Sequence, residues 1–124
     1  MKKITVNEAL SQLKHGFFPK CEVSRDLLKP VKSERELQNF ISKSSTQKCQ
    51  FYGYEQKDIK NFKVPNNGIE LSVNDATEML VKGNTIYARV IGENEQSFTT
   101  LNSFVTFLRK CNINGDNFLL YLRD

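Results

Sequence analysis

The chain has 124 residues, 39% of them hydrophobic, and a net charge of +4. That length fits one domain, and the longest apolar stretches fall far short of the ~20 residues that cross a bilayer as a helix. Cys21, Cys49 and Cys111 are odd in number and lack C-x-x-C spacing. This argues against a disulfide framework or a zinc site and for a reducing compartment. Met1-Lys2-Lys3 is charged and no apolar signal core follows it, so a soluble, cytoplasmic protein is expected.

The chain states its pattern twice. Ile4-Thr5-Val6-Asn7-Glu8-Ala9 returns as Leu71-Ser72-Val73-Asn74-Asp75-Ala76, an offset of 71 − 4 = 67. Carried without a gap, that offset places Leu13 on Leu80, Gly16 on Gly83, Val23 on Val90, Phe40 on Phe107, Phe51 on Phe118 and Tyr54 on Tyr121. Positions 4–57 and 71–124 share ten identities, where unrelated segments share roughly three or four. An internal duplication follows, with each copy of about 55 residues marginal alone.

Each copy opens with a helix start. Thr5 and Ser72 supply an N-cap hydroxyl, with Glu8 and Asp75 three residues on as in a capping box. Apolar residues recur at helical spacing until Gly16 and Gly83, which suit a left-handed C-terminal cap. His15 and Lys82 precede those glycines, where a cation complements exposed carbonyls.

A hairpin is expected next. Lys20 to Ser24 and Thr85 to Ile91 read as first strands, with Arg25-Asp26 and Gly92 to Glu95 as turns. Gln96 to Thr99 pairs back in the second copy; in the first, Pro30 confines the returning strand to an edge. A second helix starts at the capping box Ser33-Glu34-Arg35-Glu36, with Leu37, Phe40 and Ile41 as its apolar stripe. Its counterpart carries Phe104, Phe107 and Leu108 behind Thr100. Gln50 to Tyr54 and Asn117 to Leu122 are the closing strands.

The expected fold is thus α+β. Helix, hairpin, helix and strand occur twice, in one compact domain over 1–124 made of repeats 1–54 and 71–124. The polar connector 55–70 joins them, turning at Pro65-Asn66-Asn67-Gly68 and carrying Lys57, Lys60 and Lys63. The closing strands are expected to join in a shared central antiparallel sheet, giving a monomer with internal pseudo-two-fold symmetry and helical elements at both ends.

Catalysis finds little in the sequence. His15 is the only histidine; no metal-ligand spacing, phosphate loop or nucleophile elbow occurs, and no metal or cofactor is expected. Charge is more informative. Residues 1–67 hold 13 basic and 7 acidic residues, hence +6, whereas 68–124 hold 5 and 7, hence −2. Lys2, Lys3, Lys14, Lys20, Arg25, Lys29, Lys32 and Arg35 surround the first helix, hairpin and second helix. They are the expected DNA contacts, acting mainly on phosphate.

The hexapeptide Ile4 to Ala9 resembles the L-T-V-x-E-A start of the first helix in excisionase and MerR-type winged helix-turn-helix proteins. The helix ending Phe107-Leu108-Arg109-Lys110 is similar to the later part of small excisionases. In those families a recognition helix follows the first directly, whereas Gly16 and Gly83 here lead into strands. The duplicated, basic chain also resembles TraN-type double-stranded-DNA-binding accessory proteins of Gram-positive conjugative type IV secretion systems. That resemblance implies a cytosolic internal dimer with a central sheet, a helix-turn-helix at each end, and action near a transfer origin beside other conjugation or relaxosome proteins. The competing expectation is a phage or plasmid protein-interaction module that inhibits or regulates a host protein. RNA binding ranks lower, because no aromatic ladder on a sheet is visible.

Overall fold

A computed structural model describes residues 1–25, 27–43 and 50–123. Asp26, part of the expected first turn, and Cys49 lie outside the described residues. The chain divides into two compact units, Met1–Gln56 and Lys57–Asp124.

In the first unit, β1 (Lys2–Ile4) leads into α1 (Val6–Lys14), and the hairpin β2 (Lys20–Ser24) and β3 (Leu27–Pro30) follows. Then come α2 (Glu34–Lys43) and β4 (Gln50–Gly53). The short helix α3 (Gln56–Asn61) falls where the three connector lysines recur, and holds two of them. The second unit repeats the order with β5 (Ile69–Leu71), α4 (Val73–Val81), β6 (Ile86–Val90), β7 (Gln96–Phe98), α5 (Leu101–Asn114) and β8 (Phe118–Leu122). Each unit holds one four-stranded antiparallel sheet, ordered β1-β4-β2-β3 and β5-β8-β6-β7.

The predicted N-cap hydroxyls all bond the first turns of their helices, but of the three predicted capping boxes only the first closes. Glu8 N–H donates to Thr5 Oγ1 and Thr5 N–H to Glu8 Oε1, both at 3.1 Å, closing a capping box on α1. On α4 the shorter Asp75 side chain makes no such return, and only its N–H bonds Ser72 Oγ. Ser33 caps α2 through Glu36 N–H, but the Glu36 carboxylate takes the Lys32 N–H rather than reaching back to Ser33. Gly16 and Gly83 stand at φ 86° and 93°, which releases the chain from each helix into a strand.

Two expectations are corrected. The shared central sheet does not form: β4 already has β1 on one side and β2 on the other, and β8 has β5 and β6. Neither closing strand keeps an edge for the other. The missing partners were β1 and β5, three-residue strands just ahead of the helix caps. The successive helices of a helix-turn-helix are also absent among the described elements, because the hairpin always separates α1 from α2 and α4 from α5.

Both helices of a unit pack on one sheet face. Ile4, Cys21 and Phe51 meet Ala9 of α1 and Leu37 of α2, with Leu10, Leu13, Phe40 and Ile41 at the margin. Ala76, Leu80, Phe104 and Phe107 cover Ala88 and Leu120 in the second core. Strand register aligns the units more closely than sequence does. Ile4 pairs with Phe51 and Leu71 with Leu120; Cys21 also pairs with Phe51 and Ala88 with Leu120. Ile4 to Leu71 and Cys21 to Ala88 are both 67 apart, but Phe51 to Leu120 is 120 − 51 = 69. The second unit therefore holds two extra residues before its closing strand, and Tyr52, not Tyr54, is the counterpart of Tyr121.

Candidate nucleic-acid interface

The scaffold distributes the eight expected contacts over the first unit. Alternation along the strands decides which face each takes. Lys3, Tyr52 and Lys20 pair across β1, β4 and β2, one residue out of step with the buried Ile4, Phe51 and Cys21. They therefore form a row on the face away from the helices. Tyr52 donates its hydroxyl proton to Glu22 Oε2 at 3.2 Å. Desolvation first, and then the Glu22 carboxylate, hold the tyrosine above its ordinary range, so this hydroxyl stays protonated.

The other six do not join that row. Lys2 lies opposite Gly53 and Lys29 opposite Cys21, so these two occupy opposite edges of the helix-bearing face. Lys14 ends α1, Arg25 sits in the hairpin turn, Lys32 precedes α2 and Arg35 lies in its first turn. Lys29 and Pro30 also border a groove of about 330 Å³ against Glu36, Asn39 and Phe40 of α2. Lys2, Lys3, Lys14, Arg25, Lys29 and Arg35 are exposed and make no ion pair with any described residue.

Sequence reasoning missed the aromatic member of the row. The sequence places Tyr52 in a closing strand but gives it no face, because the face depends on pairing with β1. His15 sits as expected at a helix end, its Nδ1 2.8 Å from Ser11 O.

No protein-family model, curated protein or solved structure matches this chain. The second unit is thus the available reference for the first. Unit by unit, the charge contrast is milder than across residue 67. Met1–Gln56 holds ten basic and six acidic residues, +4; Lys57–Asp124 holds eight of each, 0. The three connector lysines belong to the second unit.

Position by position the contrast is complete. The counterparts of the eight cations, 67 residues on, are Ile69, Glu70, Val81, Tyr87, Gly92, Gln96, Thr99 and Asn102. None is basic, yet element order and sheet order are the same. The same element and sheet order thus forms in the second unit with no cation at these eight places.

On the corresponding face of the second sheet, Glu70, Tyr121 and Tyr87 replace Lys3, Tyr52 and Lys20. Tyr87 stacks on Tyr121 at 6.1 Å, and Arg123 lies 5.5 Å from the Tyr87 ring. Glu95 accepts from the Tyr121 hydroxyl and pairs with Arg123 at 2.9 Å. These side chains satisfy one another, which suits structure rather than capture of an anion.

Proposed function

We propose that the chain is a non-enzymatic double-stranded-DNA-binding protein in which the first unit binds the phosphates. The observation that carries this reading is the set of eight cations present in one unit and absent from every counterpart in the other. The second unit forms the same architecture without these charges, and six of them stand exposed with no ion pair to a described residue. That is the electrostatic requirement for a polyanion. The two units descend, in this reading, from one duplicated ancestor, and the second has given up the cations. The resemblance to TraN-type accessory proteins gives the setting: transfer of a mobile element, in the cytoplasm, beside other relaxosome proteins.

A labelled duplex titrated at two salt concentrations tests it. Retardation at low salt that weakens steeply with added salt is expected. Combining Lys3→Ala, Lys20→Ala and Lys29→Ala should flatten the salt slope by about one for each phosphate no longer neutralised. Lys82→Ala in the second unit should leave it unchanged. Absence of retardation at low salt, or indifference to salt, overturns the proposal.

A second reading, regulation of a host protein, draws on the hairpin tip. Val23, Leu27 and Leu28 are 37%, 49% and 41% exposed there, and apolar tips of this kind suit a protein surface. A co-purifying protein partner in the absence of DNA retardation selects that reading.

A further inference from the structure

The groove between hairpin and second helix is built twice. Lys29, Glu36, Asn39 and Phe40 border it in the first unit, and their counterparts Gln96, Ser103, Thr106 and Phe107 border it in the second. The second groove, of about 220 Å³, has an apolar floor of Val90, Phe98, Phe107 and Cys111. Glu93 and Asp116 stand at its rim with one cation, Lys110. Those carboxylates are felt at the floor: burial first, then Asp116 and Glu93, push the Cys111 thiol up to about 11 against the opposing pull of Lys110.

One wall of each groove is an edge strand, β3 or β7. Ile91 N–H donates to Asn117 O at 3.1 Å, on the β8 side of its strand. Backbone groups alternate along a strand, so odd-numbered residues of β6 bond towards β8 and even-numbered ones towards β7. Ala88, opposite Gln96, and Ile86, opposite Phe98, hence take the bonds to β7. The N–H and C=O of Ser97 between them point outward at the edge. In the first unit the same logic starts from Val31 N–H donating to Pro19 O at 2.8 Å, and it directs residue 30 outward. That residue is proline, which has no N–H to offer.

We propose that the edge of β7 and the groove beside α5 bind an extended peptide carrying a lysine or arginine. The peptide adds as a further strand through Ser97 N–H and C=O, and its basic side chain enters the groove. The aliphatic stem lies on Phe98 and Phe107, and the charged end reaches Glu93. Strand addition supplies affinity through the main chain, and a pocket for an alternate side chain supplies selectivity. A long basic side chain suits an apolar floor with an acidic rim because stem and head differ in polarity. The equivalent edge of the first unit is closed by Pro30, so the chain offers this edge once. The proposal stands apart from the DNA reading, which concerns the other unit.

The test is fluorescence anisotropy of the full chain with a labelled, alternating valine–lysine hexapeptide, and with the same peptide carrying glutamate for lysine. Saturable binding of the lysine peptide is expected, at least about tenfold tighter than the glutamate peptide. Ser97→Pro should abolish it while leaving the DNA retardation intact, since the scaffold already holds proline at this position in its other unit. N-methylation of alternate peptide amides should weaken wild-type binding about tenfold or more, a measurement independent of how the variant folds. No binding of the lysine peptide, equal binding of both peptides, or undiminished binding by Ser97→Pro or by the N-methylated peptide overturns the proposal. So does a concentration-dependent dimer that Ser97→Pro disperses, which gives the edge to a second copy of the chain.

Discussion

Gln12 is the residue whose role is least visible in isolation. It is a polar side chain at 7% exposure on the core face of α1, where Met79 stands in the second unit. Its amide donates to Tyr54 O at 3.0 Å and accepts from Tyr54 N–H at 3.1 Å. The side chain thus bonds the backbone just beyond β4 as a neighbouring strand would. Gly53 makes room for it: a Cβ there would lie 2.6 Å from Ile4 Cδ1 and 2.7 Å from Gln12 Oε1. Gly53→Ala should therefore destabilise the first unit by about 1–3 kcal/mol, measurable by urea denaturation. Tyr121 offers a second residue-scale measurement. Burial first, and then Glu95, push its hydroxyl up to about 12. A folded-state value raised above the unfolded one stabilises fully below the unfolded value and is lost as pH rises through the folded one. Stability should accordingly fall between about pH 10 and 12, and a Tyr121→Phe variant should lose less over that window.

Among elements, edges and centres differ in what protects them. β4, β2, β8 and β6 have a hydrogen-bonded neighbour on each side, whereas β1, β3, β5 and β7 have one. Backbone amides of the second unit's central strands should exchange most slowly with deuterium, because more residues bury around them. Ten buried residues form the described core there, against six in the first unit. Equal or faster exchange in β6 and β8 than in β2 and β4 would contradict this ranking of the cores. Caps, hairpins and helices were legible in the sequence because their signals are local: Thr5 with Glu8, Gly16, and the stripe of Leu37, Phe40 and Ile41. Strand pairing was not, since β1 joins β4 across most of the unit and three residues cannot display a period. The shared sheet was wrongly expected for that reason. The eight basic positions were readable as residue types, but their faces, and the partnership of Lys3 and Lys20 with Tyr52, came only with the register.

At the scale of the whole molecule, one chain holds two versions of a scaffold with separate cores and different chemical endowments. The first unit carries eight cations whose counterparts in the second are all non-basic; the second carries mutually satisfied aromatic and charged groups, and leaves a strand edge uncapped where the first has Pro30. A combined variant of the first unit with Lys3, Lys20 and Lys29 neutralised should bind DNA more weakly and still fold, because the second unit already folds with other residues at those places. The two-residue difference before the closing strands bears on the lineage that a duplication implies. A strand repeats its environment every second residue, so sliding one copy by two keeps inward residues inward. Phe51 against Phe118 and Tyr54 against Tyr121 are coincidences of that kind, an aliasing in which a displaced comparison scores as kinship. Any case for common ancestry of the halves therefore rests on their first helices and hairpins, where the offset of 67 holds, and not on their final strands, where strand register sets it at 69.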